Sequence, residues 1–521
     1  PVLVGRCKFT TPTRLPPFTV THPRPLRAST TEDAQRHRLV WAVLPADRMT
    51  PVRAFERLRA AGHRAALLES VEGPERLADG SLRARPEHAV HVGPDGSEET
   101  LPLPPHEALR EASRRRGRQG AGIAHPDLPT FRGGWLGYFA YEWASTLEPR
   151  VPRPVGGPDG EGGGFDAVFD HYPDVVAFDH SAQTCTILCA APDGAADEAP
   201  ARSRLERIAS AMEGVEPQIE GFRLLDPEPV ALTTREEFVA GVESLKASIR
   251  EGEVFQAVLS QRLEQRFEGD PFTLYRVLRL VNPAPHMFYF EADGRTLVGT
   301  SPERLISVVQ GRIEVVPIAG TRPRGSSPAE DDALGNELRR DEKECAEHDM
   351  LVDLARNDAG RVARVGSVEV EEHRTLVRFP RVQHLVSRVG ADLAPGRDAL
   401  DALAAAFPAG TVSGAPKVRA MELVAGIEGR ERGAYAGAFG YLDRAGNLDV
   451  AIAIRTVVCG GGRLKLQAGA GVVLDSDPER EYEETLHKLS ALLEAARLAA
   501  SPTFQPEVDA APSPDQRAEA S

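Results

Sequence analysis

Short apolar runs alternate with longer amphipathic stretches along most of the 521 residues. Residues 88–92, 175–178 and 184–189 are short, apolar and rich in β-branched side chains, which is typical of strands. Residues 201–213 repeat their apolar side chains at the spacing of a helix. Because strands and helices are interspersed along the chain, the pattern predicts a mixed α/β (α+β) protein.

The periodic pattern weakens over residues 213–232, which contain three prolines. A helix start follows at once, because Thr234 and Glu237 have the spacing of a capping box ahead of an apolar helical face. We therefore predict an amino-terminal half at 31–232 and a second region at 233–500. The second region contains most of the motifs that suggest chemistry.

Two helices predicted in the second region each present carboxylates three residues apart, and therefore on one helical face. Glu344 and Glu347 lie on the first helix, and Glu481 and Glu484 on the other, followed by Lys488. Two such faces would repel each other unless a cation lay between them. Mg²⁺ suits this place, because it prefers carboxylate oxygens and keeps positions for water or substrate. The alternative is two solvated helix faces on which Glu and Lys support each other.

Strand-like segments near these acids indicate a ligand pocket. Residues 447–458 alternate as a single strand, and the alternation places Arg455 on a face of small side chains, where its planar fork can meet a carboxylate. A second strand runs into 467–471, where glycines let the backbone approach an anion, and residues 315–321 end in glycine and threonine. A β-bulge is the alternative at each glycine. Together the segments predict a pocket for a small polycarboxylate.

Composition narrows the possible functions. A formal charge of −15 argues against a general nucleic-acid binder, and no apolar run approaches the roughly 20 residues of a membrane-spanning helix. Five scattered cysteines without a CxxC pair suggest reduced thiols and a cytoplasmic protein. Residues 1–30 are basic and rich in Thr and Pro, so organelle targeting stays open beside a disordered extension. Residues 152–164 and 501–521 are also expected to be unpacked.

Four segments of the second region stand out by their length and order: 317–321 (PIAGT), 347–358 (EHDMLVDLARND), 407–417 (FPAGTVSGAPK) and 467–471 (QAGAG). They strongly resemble motifs of the chorismate-utilising enzymes. The similarity is dense over 238–493 and thinner upstream, at 67–70 (LLES) and 133–138 (GGWLGY). It implies a large multilayer sandwich of packed β-sheets enclosed by helices, with the active site mainly in the second region.

Motif by motif, the resemblance also implies roles for individual residues. Glu347 and Glu484 are implied to hold Mg²⁺, with Glu344 and Glu481 supporting them, and Lys488 to complement this acidic cluster. The residues implied to bind chorismate are Gly320, Thr321, Tyr435, Arg455, Gly469, Ala470 and Gly471.

The implied reaction on chorismate has two steps. Glu303 matches the general acid that protonates the C4 hydroxyl as a nucleophile adds at ring carbon C2. His384 and Thr411 match positions associated with the second step, in which C2 loses a proton and pyruvate leaves. Without the motif, His384 is better explained as a packed residue of a strand.

Two positions separate the reactions of this family. Water-using relatives carry a lysine where this chain has Gln256, so ammonia, which is already nucleophilic, is the expected attacker. Aminodeoxychorismate synthases carry a lysine where this chain has Ala319. The implied products are therefore anthranilate and pyruvate. Amination without loss of pyruvate and aminodeoxychorismate synthesis remain the alternatives.

The sequence has no Gly-x-Cys-x-Gly turn of a glutaminase, so we expect a separate glutaminase subunit to supply ammonia within a hetero-oligomer. Two segments, 67–70 and 282–287, resemble the family's tryptophan-sensing elements. The implied tryptophan-binding residues are Leu68, Glu69, Ser70, Pro285, His286 and Met287, with His286 in place of the usual tyrosine. A tryptophan-binding module without catalysis is the alternative from another class, and the intact acidic and basic site residues argue against it.

Overall fold

The computed structural model describes residues 39–69, 74–77, 80–84, 89–92, 98–115, 128–154, 164–191, 198–214, 217, 220–379 and 382–504. In chain order the strands are β1 (Leu39–Pro45), β2 (Ala65–Glu69), β3 (Pro74–Leu77), β4 (Gly80–Ala84), β5 (Ala89–Val92), β6 (Glu98–Leu101), β7 (Gly134–Phe139), β8 (Ala167–Tyr172), β9 (Asp174–Asp179), β10 (Thr184–Ala190), β11 (Phe222–Leu224), β12 (Val230–Ala231), β13 (Gln256–Gly269), β14 (His286–Ala292), β15 (Arg295–Ser301), β16 (Arg304–Val309), β17 (Arg312–Val315), β18 (Ile318–Pro323), β19 (Glu369–Arg378), β20 (Val382–Asp392), β21 (Gly414–Ala415), β22 (Ala438–Asp443), β23 (Leu448–Ile452), β24 (Thr456–Gly460) and β25 (Arg463–Val472).

The helices are α1 (Pro51–Ala60), α2 (Pro105–Arg115), α3 (Trp143–Leu147), α4 (Ala199–Glu213), α5 (Arg235–Arg250), α6 (Pro271–Val281), α7 (Pro328–Arg340), α8 (Glu342–Gly360), α9 (Ala399–Ala406), α10 (Lys417–Glu428) and α11 (Pro478–Ala499). Short 3₁₀ turns occupy Gly410–Val412 and Pro502–Phe504. Of these helices, none is long and apolar enough to cross a membrane.

The strands form two large antiparallel sheets. The first has the order β1-β10-β9-β3-β2-β14-β15-β24-β25-β13-β11, with β12 and β21 also paired to β13. The second has the order β18-β20-β17-β16-β23-β22-β7-β8-β4-β5-β6, with β19 paired to β20. Each sheet combines strands from both sides of residue 232. The division at residue 232 stays a prediction about function, while the two sheets join both halves into one body.

The inner faces of the sheets pack against each other. Phe288 of the first sheet stacks on Phe439 of the second, with ring centroids 3.9 Å apart, inside a cluster that also buries Leu136 and Tyr138. Helices α1, α4, α6 and α11 contribute to the core on the outer face of the first sheet. Helices α2, α3 and α9 contribute to the core of the second sheet. The predicted multilayer sandwich of sheets enclosed by helices is confirmed.

Several predicted elements agree with the structure. The strands predicted at 88–92, 175–178 and 184–189 and the helix at 201–213 are β5, β9, β10 and α4. The capping box of Thr234 and Glu237 starts α5, with both reciprocal hydrogen bonds formed.

Parts of the segments predicted to be unpacked lie outside the described residues, namely 1–30, 155–163 and 505–521. The described residues extend to Phe504, which packs against the core of the first sheet. The four cysteines among the described residues are buried and form no disulfide with one another: Cys185, Cys189, Cys345 and Cys459.

The prediction of one strand over 447–458 is wrong. The segment divides into β23, which pairs with β16 and β22 in the second sheet, and β24, which pairs with β15 and β25 in the first. The chain crosses between the sheets at 453–455, where Arg455 has a left-handed φ of 50°. Both sides of the crossing are buried, so the apolar alternation continues through the break. Arg455 therefore projects from a turn and not from the face of a strand.

Candidate active site

One edge of β25 is left open where its neighbour turns away. The pairing of β25 with β24 stops at Leu466, whereas its pairing with β13 continues to the end of the strand. Among the described strands, none covers the β24 side of 467–472. The Lys488 ammonium of α11 reaches this edge and donates to the carbonyl oxygen of Gly469 at 2.9 Å. The glycine segment is therefore accessible from the side of α11.

The backbone N–H groups of Gly469 and Gly471 point to this open edge. In a strand, the N–H and C=O of one residue point to the same side, and the direction repeats every second residue. Because the carbonyl of Gly469 faces Lys488, both glycine N–H groups face the same way, and those of Ala470 face β13. Two donors on one edge suit an anion such as a carboxylate. The predicted contribution of Ala470 is therefore limited to spacing the two glycines.

Gly469 and Gly471 leave room for neighbouring side chains beside this edge. A Cβ at Gly469 would lie 3.0 Å from the hydroxyl oxygen of Tyr435, and one at Gly471 would lie 2.5 Å from the side-chain nitrogen of Gln256. Tyr435 is buried, and desolvation raises the pKa of its hydroxyl, which therefore stays protonated at neutral pH. The Tyr435 hydroxyl and the Gln256 amide thus lie over one face of the strand whose edge presents the two backbone donors.

Arg455 is fixed beside the same surface through its backbone and its side chain. The N–H of Thr300 in β15 donates to its carbonyl oxygen at 3.1 Å, and its guanidinium donates to the carbonyl oxygen of Lys488. This contact uses one of the five N–H donors that a guanidinium carries. The side chain is thereby oriented near Tyr435 and Glu484, which interact with it electrostatically.

The predicted acidic faces of α8 and α11 come together. Burial raises the pKa of Glu347, and the like charges of Glu344 and Glu484 raise it further. Burial likewise raises the pKa of Glu481, to which Glu484 contributes. Lys488 offsets part of this charge through an ion pair with Glu484, with nitrogen and oxygen 2.6 Å apart. Carboxylates on two helices therefore repel each other across a shared space.

Glu344 is directed partly away from that space. Its carboxylate accepts a hydrogen bond from Arg322 at 3.2 Å, and its other oxygen lies 3.3 Å from the position of a Cβ on Gly320. Glu344 consequently connects α8 to the turn of β18 as well as to the acidic cluster.

Within the described part of the chain, no three His, Cys, Asp or Glu side chains are grouped closely enough to hold a metal by themselves. Mg²⁺ does not require such a group, because one or two carboxylates commonly hold it and water or substrate oxygens complete its shell. Repelling carboxylates from two helices fit that arrangement. Glu347 and Glu484 therefore fit a Mg²⁺ ion whose other ligands would be water or substrate oxygens, and the four acids do not form a closed protein site.

Glu303 lies just before β16, and its carboxyl group is separate from the acidic cluster on α8 and α11. Its carboxyl oxygen accepts a hydrogen bond from the Thr411 hydroxyl at 3.0 Å. Both line a narrow cavity whose other charged residues are Arg304 and Asp358. Burial raises the pKa of Glu303 to about 7, although the Thr411 hydrogen bond acts in the opposite direction. This carboxyl can hold a proton near neutral pH, and its role as the general acid stays a prediction.

The predicted residues Thr321 and His384 lie opposite each other in β18 and β20. The Nδ1 atom of His384 is 3.0 Å from the carbonyl oxygen of Gly320 and 3.0 Å from the hydroxyl oxygen of Thr321. Gly320, with φ of 74°, interrupts the pairing of the two strands, as the alternative of a β-bulge anticipated. Burial lowers the pKa of His384. A proton on Nδ1, bonded to the Gly320 carbonyl, leaves Nε2 as an acceptor.

The predicted tryptophan elements are adjacent in the first sheet. Leu68 and Glu69 of β2 pair with Phe288 and Met287 of β14. The Glu69 carboxylate is buried and already accepts hydrogen bonds from Tyr275 at 2.6 Å and from Arg279.

The other residues of the predicted tryptophan elements are His286, Pro285 and Ser70. His286 lies opposite Ser301, and burial lowers its pKa. Pro285 precedes β14 directly, and Ser70 lies outside the described residues. A ligand at these elements has to bind without displacing the Glu69 contacts.

Three buried charged residues behind the site were not predicted from the sequence: Glu142, Glu428 and Arg432. Arg432 is 3% exposed and bonds to Glu428, while Glu142 accepts the N–H groups of Arg432 and Gly433 at 2.6 and 3.0 Å. The signal available in the sequence was an arginine three residues before Tyr435. Glu142 comes from the other half of the chain, and nothing in the local sequence indicates the contact.

The chain is similar to known proteins over most of its length. A family model described as chorismate binding enzyme matches residues 78–494. The chain is 42% identical over 443 residues to the anthranilate synthase component 1 of Methanothermobacter thermautotrophicus, covering 83% of this chain and 89% of the relative. It is 40% identical over 491 residues to that of Aquifex aeolicus, covering 88% and 94%.

Solved structures share the fold. Anthranilate synthase component I from Streptococcus pneumoniae superimposes with a TM-score of 0.69 at 31% identity, covering 86% of this chain and 99% of that chain. The menaquinone-specific isochorismate synthase MenF from Escherichia coli, at 19% identity and a TM-score of 0.65, shares the fold alone. With the family match over most of its length, this chain belongs to the family of chorismate binding enzymes.

Proposed function

We propose that this chain is the large subunit of an anthranilate synthase, which aminates chorismate and then eliminates pyruvate. The observation that carries the proposal is the buried Glu303, with a pKa of about 7 and a hydrogen bond from Thr411. Hydroxide is a poor leaving group, so loss of the C4 hydroxyl requires a protonated acid. Relatives about 40% identical over most of the chain are anthranilate synthase components.

The open edge of β25 supplies the anion site that chorismate requires. The N–H groups of Gly469 and Gly471 and the guanidinium of Arg455 bind the carboxylate of the enolpyruvyl side chain, and Tyr435 donates beside them. Arginine suits this role because its planar fork matches a carboxylate. The ring lies between this edge and Gly320 with Thr321.

In the first step, ammonia adds at C2 while the C4–O bond breaks, and Glu303 delivers its proton so that the hydroxyl leaves as water. Glu347 and Glu484 would hold Mg²⁺, with Glu344 and Glu481 beside them. When bound, Mg²⁺ supplies positive charge that stabilises the ring carboxylate as electron density shifts. Lys488 balances the acidic cluster from the side of α11.

In the second step, C2 loses a proton, the bond to the enolpyruvyl oxygen breaks, and the ring becomes aromatic. The neutral Nε2 of His384 accepts that proton, while its Nδ1 proton stays bonded to the Gly320 carbonyl. The depressed pKa of His384 keeps the imidazole in this basic form at neutral pH. Pyruvate then leaves as the second product.

Ammonia comes from a glutaminase subunit. The sequence contains no glutaminase nucleophile turn, and relatives bear the designation component 1, which implies a second component. The purified chain is expected to use high ammonium and to leave glutamine unconsumed. Release of glutamate from glutamine by this chain alone would contradict the assignment.

Tryptophan is proposed to inhibit the enzyme by binding beside β2 and β14, at Leu68, Glu69, Ser70, Pro285, His286 and Met287. The pairing of Leu68 and Glu69 with β14 supports a shared site. Titration of the ammonium-dependent rate with tryptophan tests this proposal, and a flat response into the millimolar range would overturn it.

The experiment for the main proposal mixes the chain with chorismate, Mg²⁺ and high ammonium. Anthranilate is followed by fluorescence and pyruvate by coupled lactate dehydrogenase. Equal amounts of both products, lost on addition of EDTA, are expected. Consumption of chorismate without pyruvate would instead indicate amination alone, and tryptophan binding without any turnover would indicate a silent module.

A further inference from the structure

Behind the substrate surface, one buried arginine contacts three separate segments of the site. Arg432 lies in the loop between α10 and β22. Its guanidinium donates to the carbonyl oxygens of Val412 and Val258, each at 2.7 Å, through different nitrogens. It also forms two bonds to the Glu428 carboxylate, at 2.7 and 2.8 Å. Four directed hydrogen bonds therefore converge on one side chain that is almost fully buried.

Two of these contacts lead directly to functional groups. Val412 follows Thr411 in the 3₁₀ turn, and the Thr411 hydroxyl donates a hydrogen bond to Glu303. Val258 lies opposite Gly471 in the pairing of β13 with β25. A shift of the guanidinium would displace the turn and the strand relative to each other, because both carbonyls depend on it.

Tyr435 is held by the same group. The guanidinium carbon of Arg432 lies 5.8 Å from the Tyr435 ring and 4.5 Å from the ring of Tyr141 on the other side. Such contacts between cations and aromatic rings are favourable at these distances and gain strength where water is excluded. The loop that carries Tyr435 is thus oriented by the arginine as well as by its own backbone.

The partner carboxylate extends the network to β13 and β25. Glu428 accepts hydrogen bonds from the N–H and the hydroxyl of Ser260, both at 2.8 Å. Ser260 lies opposite Gly469, and its hydroxyl accepts a bond from Gln467 at 2.8 Å. The ion pair is therefore connected to both ends of the glycine edge, through Val258 at one end and Ser260 at the other.

We propose that Arg432, paired with Glu428, is a positioning residue that fixes the Thr411 turn, Tyr435 and strand β13 relative to one another. This inference rests on the proposed function, in which Thr411 serves the acid Glu303 and Tyr435 binds substrate. Arg432 acts through these residues and does not itself touch the substrate. Its effect is on spacing, since a displacement of about 1 Å in a site can cost about 100-fold in rate.

The test replaces the planar guanidinium of Arg432 with a group that keeps the positive charge. Arg432→Lys retains a cation for Glu428, but a single ammonium cannot span both carbonyl oxygens and the carboxylate. We expect kcat for anthranilate formation at high ammonium to fall by about 100-fold and KM for chorismate to rise. As Thr411 loosens from Glu303, the basic limb of the kcat profile should move to higher pH, because the Thr411 bond lowers the pKa of that acid.

A matched control is Arg204→Lys in the amino-terminal half. Arg204 also bonds twice to a carboxylate, that of Asp174, at 2.9 and 3.1 Å, and donates to the backbone carbonyl of Ala190. The Arg204→Lys variant should have a lower unfolding temperature than the wild type, with unchanged kcat, KM and pH profile. Equal losses of stability in both variants with unchanged kinetics in Arg432→Lys would overturn the positioning role.

If Arg432→Lys does not fold, Glu428→Gln decides. Glu428 accepts two bonds from the guanidinium of Arg432, at 2.7 and 2.8 Å, and the amide keeps its shape while replacing one of these acceptors by a donor. A raised KM for chorismate or a displaced basic limb supports the role, and wild-type kinetics overturn it. Absence of anthranilate from the wild-type chain would overturn the proposed function itself, and this inference with it.

Discussion

Glu303 is a carboxyl group in a place where protein has largely replaced water. Burial raises its pKa to about 7, so it is protonated below that pH and ionised above it. Because the first step needs the protonated form, kcat should be constant on the acidic side of about 7 and fall about tenfold per pH unit above it. Glu303→Gln should lose about 10²–10⁴-fold in kcat and lose this basic limb. Steady-state rates between pH 5.5 and about 9 measure both effects.

A pair of substitutions at Thr411 provides the control. Thr411→Ser keeps the hydroxyl that bonds to Glu303 at 3.0 Å and should keep the position of the basic limb. Thr411→Val removes the hydroxyl and with it the bond that lowers the pKa of Glu303, so the limb should move to higher pH. An unchanged limb in both Glu303→Gln and Thr411→Val would assign the proton to another group.

Individual site residues were predictable to the extent that their motifs are contiguous in the sequence. Strand pairing fixes the 467–471 segment beside β13 in the first sheet, and Gly320 and Thr321 beside β20 in the second. Glu142 was not predictable, because its partners in the Arg432 loop lie 290 and 291 residues away. Contacts of that range follow from the pairing of β7 with β22 in the second sheet, and the local sequence pattern does not indicate them.

At the scale of elements, the paired helices α8 and α11 decide whether the acidic cluster is a metal site. Glu347→Gln and Glu484→Gln should each weaken the apparent affinity for Mg²⁺ by about tenfold or more, with chorismate present. In EDTA, Glu347→Gln should raise the unfolding temperature, because it removes a half-buried charge that Glu344 and Glu484 repel. Activity titrated with Mg²⁺ and thermal unfolding in EDTA give the two readouts.

Glu483→Gln is the matched control, since it makes the same charge change next to Glu484 on α11. Glu483 is exposed and pairs with Arg235 at 3.4 Å, away from the acidic cluster. Its Mg²⁺ titration should equal that of the wild type. If all three variants shifted equally, the effect would reflect net charge, and α8 and α11 would be two solvated helix faces.

The helices themselves were predictable because their caps and apolar faces are local. The capping box at Thr234 and the carboxylate spacing on α8 and α11 need only a few neighbouring residues, and all three helices form as expected. The crossing at 453–455 could not be predicted in this way, because apolar alternation continues from β23 into β24. Only the left-handed Arg455 marks the break, and a left-handed arginine has no signature in an apolar pattern.

At the scale of the whole molecule, the two sheets make the halves of the chain interdependent. In the first sheet, β2 pairs with β14, and in the second, β7 pairs with β22, so neither sheet is complete without strands from both sides of residue 232. Units that share sheets and a buried interface are expected to lose their structure together. We therefore expect the two sheets to unfold with one midpoint.

The three tryptophans allow each sheet to be observed separately. Trp41 lies in β1 of the first sheet, whereas Trp135 in β7 and Trp143 in α3 belong to the core of the second. Trp41→Phe leaves fluorescence from the second sheet alone, and the double variant Trp135→Phe with Trp143→Phe leaves the first. In each variant, the urea midpoint of tryptophan fluorescence should coincide with the urea midpoint of the loss of secondary structure measured by circular dichroism. Comparing the two signals within one variant removes the effect of the stability that its substitution costs. Separate midpoints would mean that the two sheets unfold as separate units, although each is built from strands on both sides of residue 232.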